Sequence, residues 1–185
     1  MLKQKLAKIF YDHYDTTMLL EQEVDIIDKI ANSLPPDYFQ DIIDFHQKFQ
    51  VSPSPMPSLL PVELEMFRYN FMIEELTEYR KAYKDGNLHD AFDALIDLVY
   101  VALGTAYLMN LPFDQGWSTV HDANMKKERT YDATKSKRNS AFDVIKPPAW
   151  KAPDHTAALK QRVQEIRDKK LSMLQAQGSD DEGLA

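Results

Sequence analysis

The stretch that decides the fold is residues 62–111, VELEMFRYNFMIEELTEYRKAYKDGNLHDAFDALIDLVYVALGTAYLMNL. It contains none of the chain's ten prolines and only two of its five glycines. Apolar residues recur at three- and four-residue steps on both sides of Asp85-Gly86-Asn87, which indicates two helices joined by a turn. Pro61 suits a first helical position, and Asn87 can cap the second helix. The pattern therefore predicts an antiparallel helical hairpin.

The second of these helices is apolar on nearly all sides, as the central helix of a bundle would be. Its apolar residues include Ala91, Ala94, Leu95, Leu98, Val99 and Ala102. One hairpin cannot cover such a surface, so either N-terminal helices or a second subunit must do so. Because no strand-like alternation exceeds a few residues, we expect an all-α fold, a helical bundle built around this hairpin.

The rest of the chain divides by composition and periodicity. We predict an N-terminal helical extension over 1–36, the main domain over 37–153, an amphipathic helix over 154–176 and a loose acidic tail over 177–185. Short amphipathic helices are expected near 38–49 and 113–127, and residues 128–153 lack periodicity. The proline-rich segment Ser52–Ser58 reads as a stiff connector.

Composition excludes several classes of function. The chain has 185 residues, 44% hydrophobic, which suits a single domain. Its net charge of −7 argues against binding nucleic acid through phosphate neutralisation. The absence of cysteine excludes disulfides, thiolate zinc sites and a cysteine nucleophile. The longest apolar stretch, 98–109, is too short to span a bilayer, and no signal sequence is evident, so we expect a cytoplasmic protein without membrane contact.

Carboxylates are concentrated where the two hairpin helices would face each other. Glu74, Glu75 and Glu78 lie on the first helix, and Asp90, Asp93 and Asp97 lie on the second. Glu75 stands eleven residues before Gly86 and Asp97 eleven residues after it, so an antiparallel pairing brings them level. Converging carboxylates repel one another and raise their own pKa values unless a cation lies among them.

A divalent metal held by Glu75, Glu78, Asp93 and Asp97 would relieve this repulsion. All-oxygen ligands favour Mg²⁺, with Mn²⁺ as a substitute, and such ions also bind substrate phosphates. The alternative is that the acids form a solvated helix face paired with Arg80, Lys81 and Lys84. That alternative fits Asp93 and Asp97 less well, because they lie within the apolar run 91–101, where a buried acid without a partner is costly.

These motifs resemble the MazG-like all-α nucleoside triphosphate pyrophosphohydrolases, which include phosphoribosyl-ATP pyrophosphohydrolases and many phage enzymes. The matching segment FRYNFMIEELTE, 67–78, carries the family's EExxE, and DALIDLVYVALGTA, 93–106, follows it. Further matches, closest to the phage branch, are Asp44–Phe49, Ala123–Lys127, Ser136–Arg138 and Asp143–Pro147. Many members have ExxD in the second helix, where this chain has Ala94 before Asp97. Asp93 looks like the replacement acid.

The resemblance implies hydrolysis of a nucleoside triphosphate to its monophosphate and pyrophosphate, and we expect the substrate to be a deoxynucleotide. Glu74, Glu75 and Glu78 would be catalytic, with the metal ligands named above, and the role would be control of the nucleotide pool, in the host cytoplasm if the protein is phage-encoded. Family members pair hairpins into four-helix cores, so a homodimer or homotetramer is expected, with the site completed across the interface. Base and sugar specificity stay open.

A basic segment complements the acidic hairpin. Residues 121–151 contain eight basic and four acidic side chains, which suits a segment that neutralises phosphate oxygens. By resemblance, Asn124 and Lys127 are the phosphate contacts, with Lys137, Arg138 and Lys146 as further candidates. Phe45, His46 and Phe49 could form a base pocket, although aromatic residues at helical spacing are more often part of a core.

Two other classes of function compete with this hypothesis. A ferritin-like di-iron protein needs Glu-x-x-His pairs, and none of the five histidines has Glu three residues before it. A non-catalytic helical adaptor with an acidic surface is the remaining alternative, and it predicts neither divalent-metal binding nor turnover.

Overall fold

The computed structural model describes residues 37–181, and within them the protein is mostly helical. The five α-helices are α1 Tyr38–Lys48, α2 Val62–Lys84, α3 Leu88–Leu108, α4 Phe113–Met125 and α5 Thr156–Asp181. A 3₁₀ turn at Ala133–Lys135 and the two-residue strands β1 Glu128–Arg129 and β2 Val144–Ile145 complete the described range. The all-α prediction is confirmed. The predicted N-terminal extension, 1–36, and the last tail residues, 182–185, lie outside the described residues.

The described residues divide into two units, which separate between Val51 and Ser52. In the first unit, α1 begins after Asp37, whose side chain accepts a hydrogen bond from the Gln40 backbone N–H at 3.0 Å. Ile42 and His46, four residues apart and so on one face, are its buried residues. The amphipathic helix predicted near 38–49 is therefore present.

In the second unit, α2 and α3 form the predicted antiparallel hairpin. Gly86 adopts a left-handed φ of 67° at the turn, and the Asn87 side chain caps α3 by accepting from the Asp90 N–H at 3.2 Å. Arg68 fixes the register, donating to the Val101 carbonyl at 2.6 Å and the Thr105 hydroxyl at 3.1 Å. Arg68 lies eighteen residues before Gly86, and its partners lie fifteen and nineteen after, so the two arms pair at equal distances from the turn.

The two halves of α3 differ in burial. Its C-terminal half supplies most of the buried residues of the helix: Val101, Leu103, Gly104, Ala106 and Leu108. Its N-terminal half exposes large apolar side chains: Phe92, Leu95, Ile96 and Val99 are between 44% and 65% accessible. The hairpin alone therefore leaves the apolar surface of α3 uncovered near the turn, as the sequence predicts.

In the described part of the chain, α3 is the one helix long and apolar enough to cross a membrane by length and composition. Its 21 residues exceed the apolar stretch of 98–109 that the sequence suggests, because the helix continues through Asp93 and Asp97 towards the turn. The central helix of a soluble bundle meets the same criterion, and ionised aspartates disfavour the centre of a bilayer. The length of α3 alone is thus weak support for a membrane span.

Asn110, just beyond α3, ties three segments together. It adopts a left-handed φ of 56°, donates to the Ser54 carbonyl at 2.8 Å, and accepts from Arg162 of α5 at 2.7 and 3.0 Å. The connector also donates from the Ser54 N–H to the Leu108 carbonyl at 2.8 Å. The proline-rich segment thus runs without helix along the end of α3.

The segment after α4, which lacks helical periodicity, contains a small antiparallel pairing. Glu128 lies opposite Ile145, and Arg129 lies opposite Val144. The final helix, α5, reaches Asp181 and so includes the first residues of the segment predicted to be a loose tail.

Candidate active site

Glu75 is the one acidic side chain that the hairpin buries within the described residues. Glu75 and Ala82 are the buried residues of α2, and their seven-residue spacing places them on one face of the helix. On α3, the nearest buried position to the turn is the small residue Ala94. The polar sequence of α2 therefore directs a carboxylate, rather than an apolar side chain, into the interior of the hairpin.

The environment of Glu75 opposes its ionisation. Burial raises the pKa of its carboxyl group, and the negative charges of Asp97, Glu78, Glu74 and Asp93 raise that pKa further, in that order. These are the residues named from the sequence, and they act on Glu75 from both helices. The structure thus brings the predicted acids within electrostatic reach of one buried carboxyl.

One oxygen of Glu75 has no partner. Glu75 is 6% accessible, and its Oε2 is enclosed without a hydrogen bond from any described group. Buried polar atoms are nearly always hydrogen-bonded, and each exception needs an explanation such as an ion or a proton. A cation held between the helices would supply the missing interaction and offset the repulsion among the acids.

The other predicted acids are exposed. Glu74, Glu78, Asp93 and Asp97 have accessible side chains, and in residues 37–181 no group of three or more His, Asp and Glu side chains has the arrangement of a metal site. An all-oxygen donor set of this composition suits Mg²⁺ or Mn²⁺. The carboxylate oxygens of the predicted ligands suit such an ion, and the arrangement of these ligands around it stays a prediction. The ligands are Glu75, Glu78, Asp93 and Asp97.

The alternative in which these acids pair with nearby bases has no support in the described residues. No ion pair joins Arg80, Lys81 or Lys84 to an acid there. The Arg80 guanidinium instead lies 5.6 Å from the centre of the Tyr83 ring. The three bases line an open groove of about 440 Å³ along α2 with Ile73, Leu76 and Thr77. A solvated face describes the exposed acids taken singly, but it does not describe buried Glu75.

Two of the predicted phosphate contacts lie beside Trp150, a residue that no sequence motif indicates. The Lys127 ammonium donates to the Asn124 side-chain oxygen at 2.7 Å and lies 5.7 Å from the centre of the Trp150 ring. The Lys146 ammonium lies 4.0 Å from the same ring centre. The presence of a tryptophan in a basic segment is the sequence signal that could have indicated Trp150.

Arg138, another predicted phosphate contact, has an internal partner. Its guanidinium donates to Asp143 Oδ1 at 2.7 Å, and the Ser136 hydroxyl donates to Asp143 Oδ2 at 2.7 Å. The Ser136 hydroxyl and the Val144 N–H hydrogen-bond this carboxylate, and together with Arg138 they lower the pKa of Asp143. Lys137 is exposed next to this network. Arg138 thus organises the loop before β2.

The acidic and basic sets do not meet through any hydrogen bond or ion pair in the described part of the chain. The predicted base-pocket residues form an aromatic cluster in the first unit, where the Phe45 ring centre lies 5.4 Å from that of His46 and 4.8 Å from that of Phe49. His46 is buried, and its Nδ1 lies 2.8 Å from the Ile42 carbonyl oxygen. A base-binding role for this cluster stays a prediction.

Two cavities lie along α5 and include no residue of the acidic set. One, of about 660 Å³, lies between α5 and the end of α3, and its rim carries Lys160 and Arg167. The other, of about 330 Å³, is lined mainly by apolar residues of α4 and α5, including Trp117. His155 also lines the second cavity, and its Nδ1 is buried without a described partner.

A comparison with known protein families finds one matching model, described as phosphoribosyl-ATP pyrophosphohydrolase, over residues 42–124. The matched region contains Glu74, Glu75, Glu78, Asp93 and Asp97, the aromatic cluster of α1, and Asn124. Lys127, Lys137, Arg138 and Lys146 lie beyond it. A comparison with curated proteins finds no match.

Proposed function

We propose that this protein, in which residues 42–124 form a domain of the phosphoribosyl-ATP pyrophosphohydrolase family, is a nucleotide pyrophosphohydrolase that uses Mg²⁺ to hydrolyse a nucleoside triphosphate to its monophosphate and pyrophosphate. We further propose a deoxynucleotide as the substrate and nucleotide-pool control in the cytoplasm as the role. The family supports pyrophosphohydrolysis in general, and the finer assignment depends on the site.

The observation that carries the proposal is the unpartnered Oε2 of buried Glu75. Retaining a carboxyl in the interior of a hairpin, next to four other acids, costs stability unless something compensates for it. A divalent cation compensates directly, and a cation also attracts the triphosphate of the substrate.

The residues divide into two roles. Glu75, Glu78, Asp93 and Asp97 would hold the metal, which when bound lowers the pKa of a water molecule and neutralises phosphoryl oxygens. Glu74 is exposed beside this set and could orient the attacking water, and a carboxylate of the EExxE segment would accept its proton. Attack at the α-phosphorus releases pyrophosphate as a unit without a covalent intermediate.

The basic segment would bind the leaving portion of the substrate. Lys127 and Lys146 present ammonium groups near the end of α4, where Asn124 also lies. Lys137 is free to contact phosphate from the neighbouring loop, whereas Arg138 would need to share its guanidinium with Asp143. We expect these contacts to matter more for a triphosphate than for a monophosphate.

The functional unit is proposed to be a homodimer or homotetramer. The exposed apolar side chains of α3 near the turn lie on the same helix as Asp93 and Asp97, so a second copy that covers them would also enclose the acidic set. Such an arrangement allows the basic segment of one subunit to approach the acids of another.

A panel of all ribo- and deoxynucleoside triphosphates, together with phosphoribosyl-ATP, tests the function. Each compound is incubated with Mg²⁺ or Mn²⁺, and pyrophosphate, orthophosphate and monophosphate are measured. We expect equal amounts of pyrophosphate and monophosphate from at least one triphosphate, and none with Glu75→Gln.

The other outcomes are informative. Orthophosphate release would contradict cleavage at the α-phosphorus, and hydrolysis of phosphoribosyl-ATP alone would keep the family activity but overturn the proposed substrate. No turnover of any compound, combined with no heat of Mg²⁺ binding in calorimetry, would support the helical adaptor instead.

A further inference from the structure

The indole of Trp150 is anchored to the last turn of α4. Its Nε1–H donates to the Ala123 carbonyl at 2.7 Å, and the Trp150 N–H donates to the Pro147 carbonyl at 2.9 Å. The first bond holds the ring against α4, and the second closes the turn that follows β2. Trp150 is therefore a fixed platform that joins the end of α4 to the end of the aperiodic segment.

Two ammonium groups approach this single ring. Those of Lys146 and Lys127 lie 4.0 and 5.7 Å from its centre, so they are no more than 9.7 Å apart. The negative face of an indole attracts cations, and both distances fall within the range of that interaction. Lys127 is held a second time by Asn124 at 2.7 Å.

The two ammonium groups are not neutralised within the described residues. Neither lysine forms an ion pair there, in contrast to Arg138, which is paired with Asp143 at 2.7 Å. Two like charges on one aromatic ring repel each other, and an anion between or across them would remove that repulsion. A di- or triphosphate chain is long enough to contact both groups at any separation up to this limit, and it carries more negative charge than a single phosphate.

We propose that Trp150 is a positioning residue that assembles Lys127 and Lys146 into one polyphosphate-binding site. This inference rests on the proposed function, in which the site receives the pyrophosphate portion of the substrate. It separates the basic residues into two sets. Lys127 and Lys146 bind phosphate beside Trp150, and Arg138 pairs with Asp143 and stabilises the loop.

Fluorescence can test the site without turnover, because the chain has only two tryptophans. Trp117→Phe leaves Trp150 as the sole indole, and Trp150→Phe leaves Trp117, which is 65% exposed and has no lysine over its ring among the described contacts. Both proteins are titrated with pyrophosphate, tripolyphosphate and orthophosphate at constant ionic strength.

We expect the Trp150 emission to change saturably with pyrophosphate and tripolyphosphate, with binding about tenfold tighter than that of orthophosphate. The Trp117 emission should not respond. An unchanged Trp150 emission, or an equal response to KCl, would overturn the proposal.

Kinetics with the preferred nucleotide distinguish positioning from a merely structural role. Trp150→Leu should raise KM about tenfold with little change in kcat, and Trp150→Phe, which keeps an aromatic face, should recover part of that loss. In a double-mutant cycle, Trp150→Leu should add little to Lys146→Met, because both changes remove the same site. Additive effects, or a loss confined to thermal stability, would contradict the assignment.

The two proposals can fail separately. If no nucleotide is hydrolysed but pyrophosphate still alters the Trp150 emission, the anion site stands and the proposed function fails. If nucleotides are hydrolysed and the Trp150 emission and KM are both insensitive, the function stands and the role of Trp150 is wrong.

Discussion

The two ends of the α2–α3 hairpin belong to the same pair of antiparallel helices, yet they differ in whether a buried polar group has hydrogen-bond partners. At the end away from the turn, Arg68 is partly buried and donates to Val101 and Thr105 across the helix pair. Nearer the turn, Glu75 is buried with an unpartnered oxygen and with acids around it. The apolar residues of α3 show the same contrast, buried at the first end and exposed at the second.

At one end of the hairpin the buried polar groups and apolar side chains are satisfied within a single chain, and at the other end they are not. Burial of a hydrogen-bonded polar group is compatible with a stable fold, whereas burial of an unpaired carboxyl and exposure of a row of apolar side chains both cost stability. The contacts at the end away from the turn therefore stabilise the fold. The end near the turn lacks such compensation, which the proposed cation and second subunit would supply.

The largest expected effect is on activity at the end near the turn. Glu75→Ala, Glu78→Ala and Asp97→Ala should each abolish turnover, while the metal-free stability holds or rises because repulsion is relieved. Steady-state kinetics and thermal unfolding measure the two quantities. Glu63→Ala, which removes an exposed acid from the first turn of α2, is the matched control for activity and should leave kcat unchanged. A mutant that keeps more than about a tenth of wild-type kcat, a loss of only about 1.4 kcal/mol, would not lack an essential ligand.

Asp93 should give a graded effect. If it replaces the family's glutamate, Asp93→Asn should raise the Mg²⁺ concentration needed for half-maximal activity by about tenfold, because one charged ligand is lost. Activity measured across a Mg²⁺ series gives this value. A purely structural Asp93 would instead lower the unfolding temperature and leave the Mg²⁺ requirement as it was.

Assembly should depend on the exposed apolar side chains of α3. Ile96→Glu places a charge on this surface next to Asp97 without altering a buried position of the chain, and we expect it to convert an oligomer into a 21.4 kDa monomer in light scattering. Leu174→Glu, on an exposed position of α5, is the control. A wild-type protein that is a fully active monomer at micromolar concentration would contradict the proposed oligomer.

The Arg68 contacts should affect stability and not metal use. Arg68→Met removes the donors to Val101 and Thr105 but keeps much of the apolar stem, so it should lower the free energy of unfolding by about 1–2 kcal/mol. Urea denaturation measures the loss. A changed Mg²⁺ requirement in an otherwise folded Arg68→Met protein would remove the distinction between the two ends.

The smallest expected effect is a pH dependence. The pKa of Glu75 is raised in the folded protein, so its contribution to stability is present below the ordinary carboxyl range and is lost as pH rises through the raised pKa. The metal-free wild type should lose stability over that window, and Glu75→Gln should lose less. Mn²⁺ should restore stability to the wild type alone. Parallel curves of stability against pH for the two proteins would contradict the assignment of this pH dependence to Glu75.

The sequence predicted the hairpin because its signals are local. Helical spacing, the Gly86 turn and the Asn87 cap each depend on a few neighbouring residues, and the equal-arm register follows from them. The acidic set was predicted for the same reason. What could not be predicted is that Glu75 is the one buried member of the acidic set, because burial depends on how α2 and α3 pack and not on spacing along either helix.

The contacts of the basic segment could not be predicted from local sequence patterns. The β1–β2 pairing and the Trp150 bond to Ala123 join residues that are distant in sequence and leave no periodic signal. The family resemblance indicates Arg138 as a phosphate contact, but its partner Asp143 lies across a turn and is visible only in the fold. The sequence therefore indicates which residue types are present in this segment, and the fold decides which of them share a site.

If the acidic end of the hairpin binds a divalent cation, Glu75 should be required for that binding. Electron paramagnetic resonance of Mn²⁺, which distinguishes free from bound ion, tests it without a nucleotide. The wild-type protein should bind Mn²⁺ with loss of the free-ion signal, Mg²⁺ in excess should restore that signal, and Glu75→Gln should bind at least about tenfold more weakly. Equal Mn²⁺ binding by the wild type and Glu75→Gln, or no binding by either, would contradict the account.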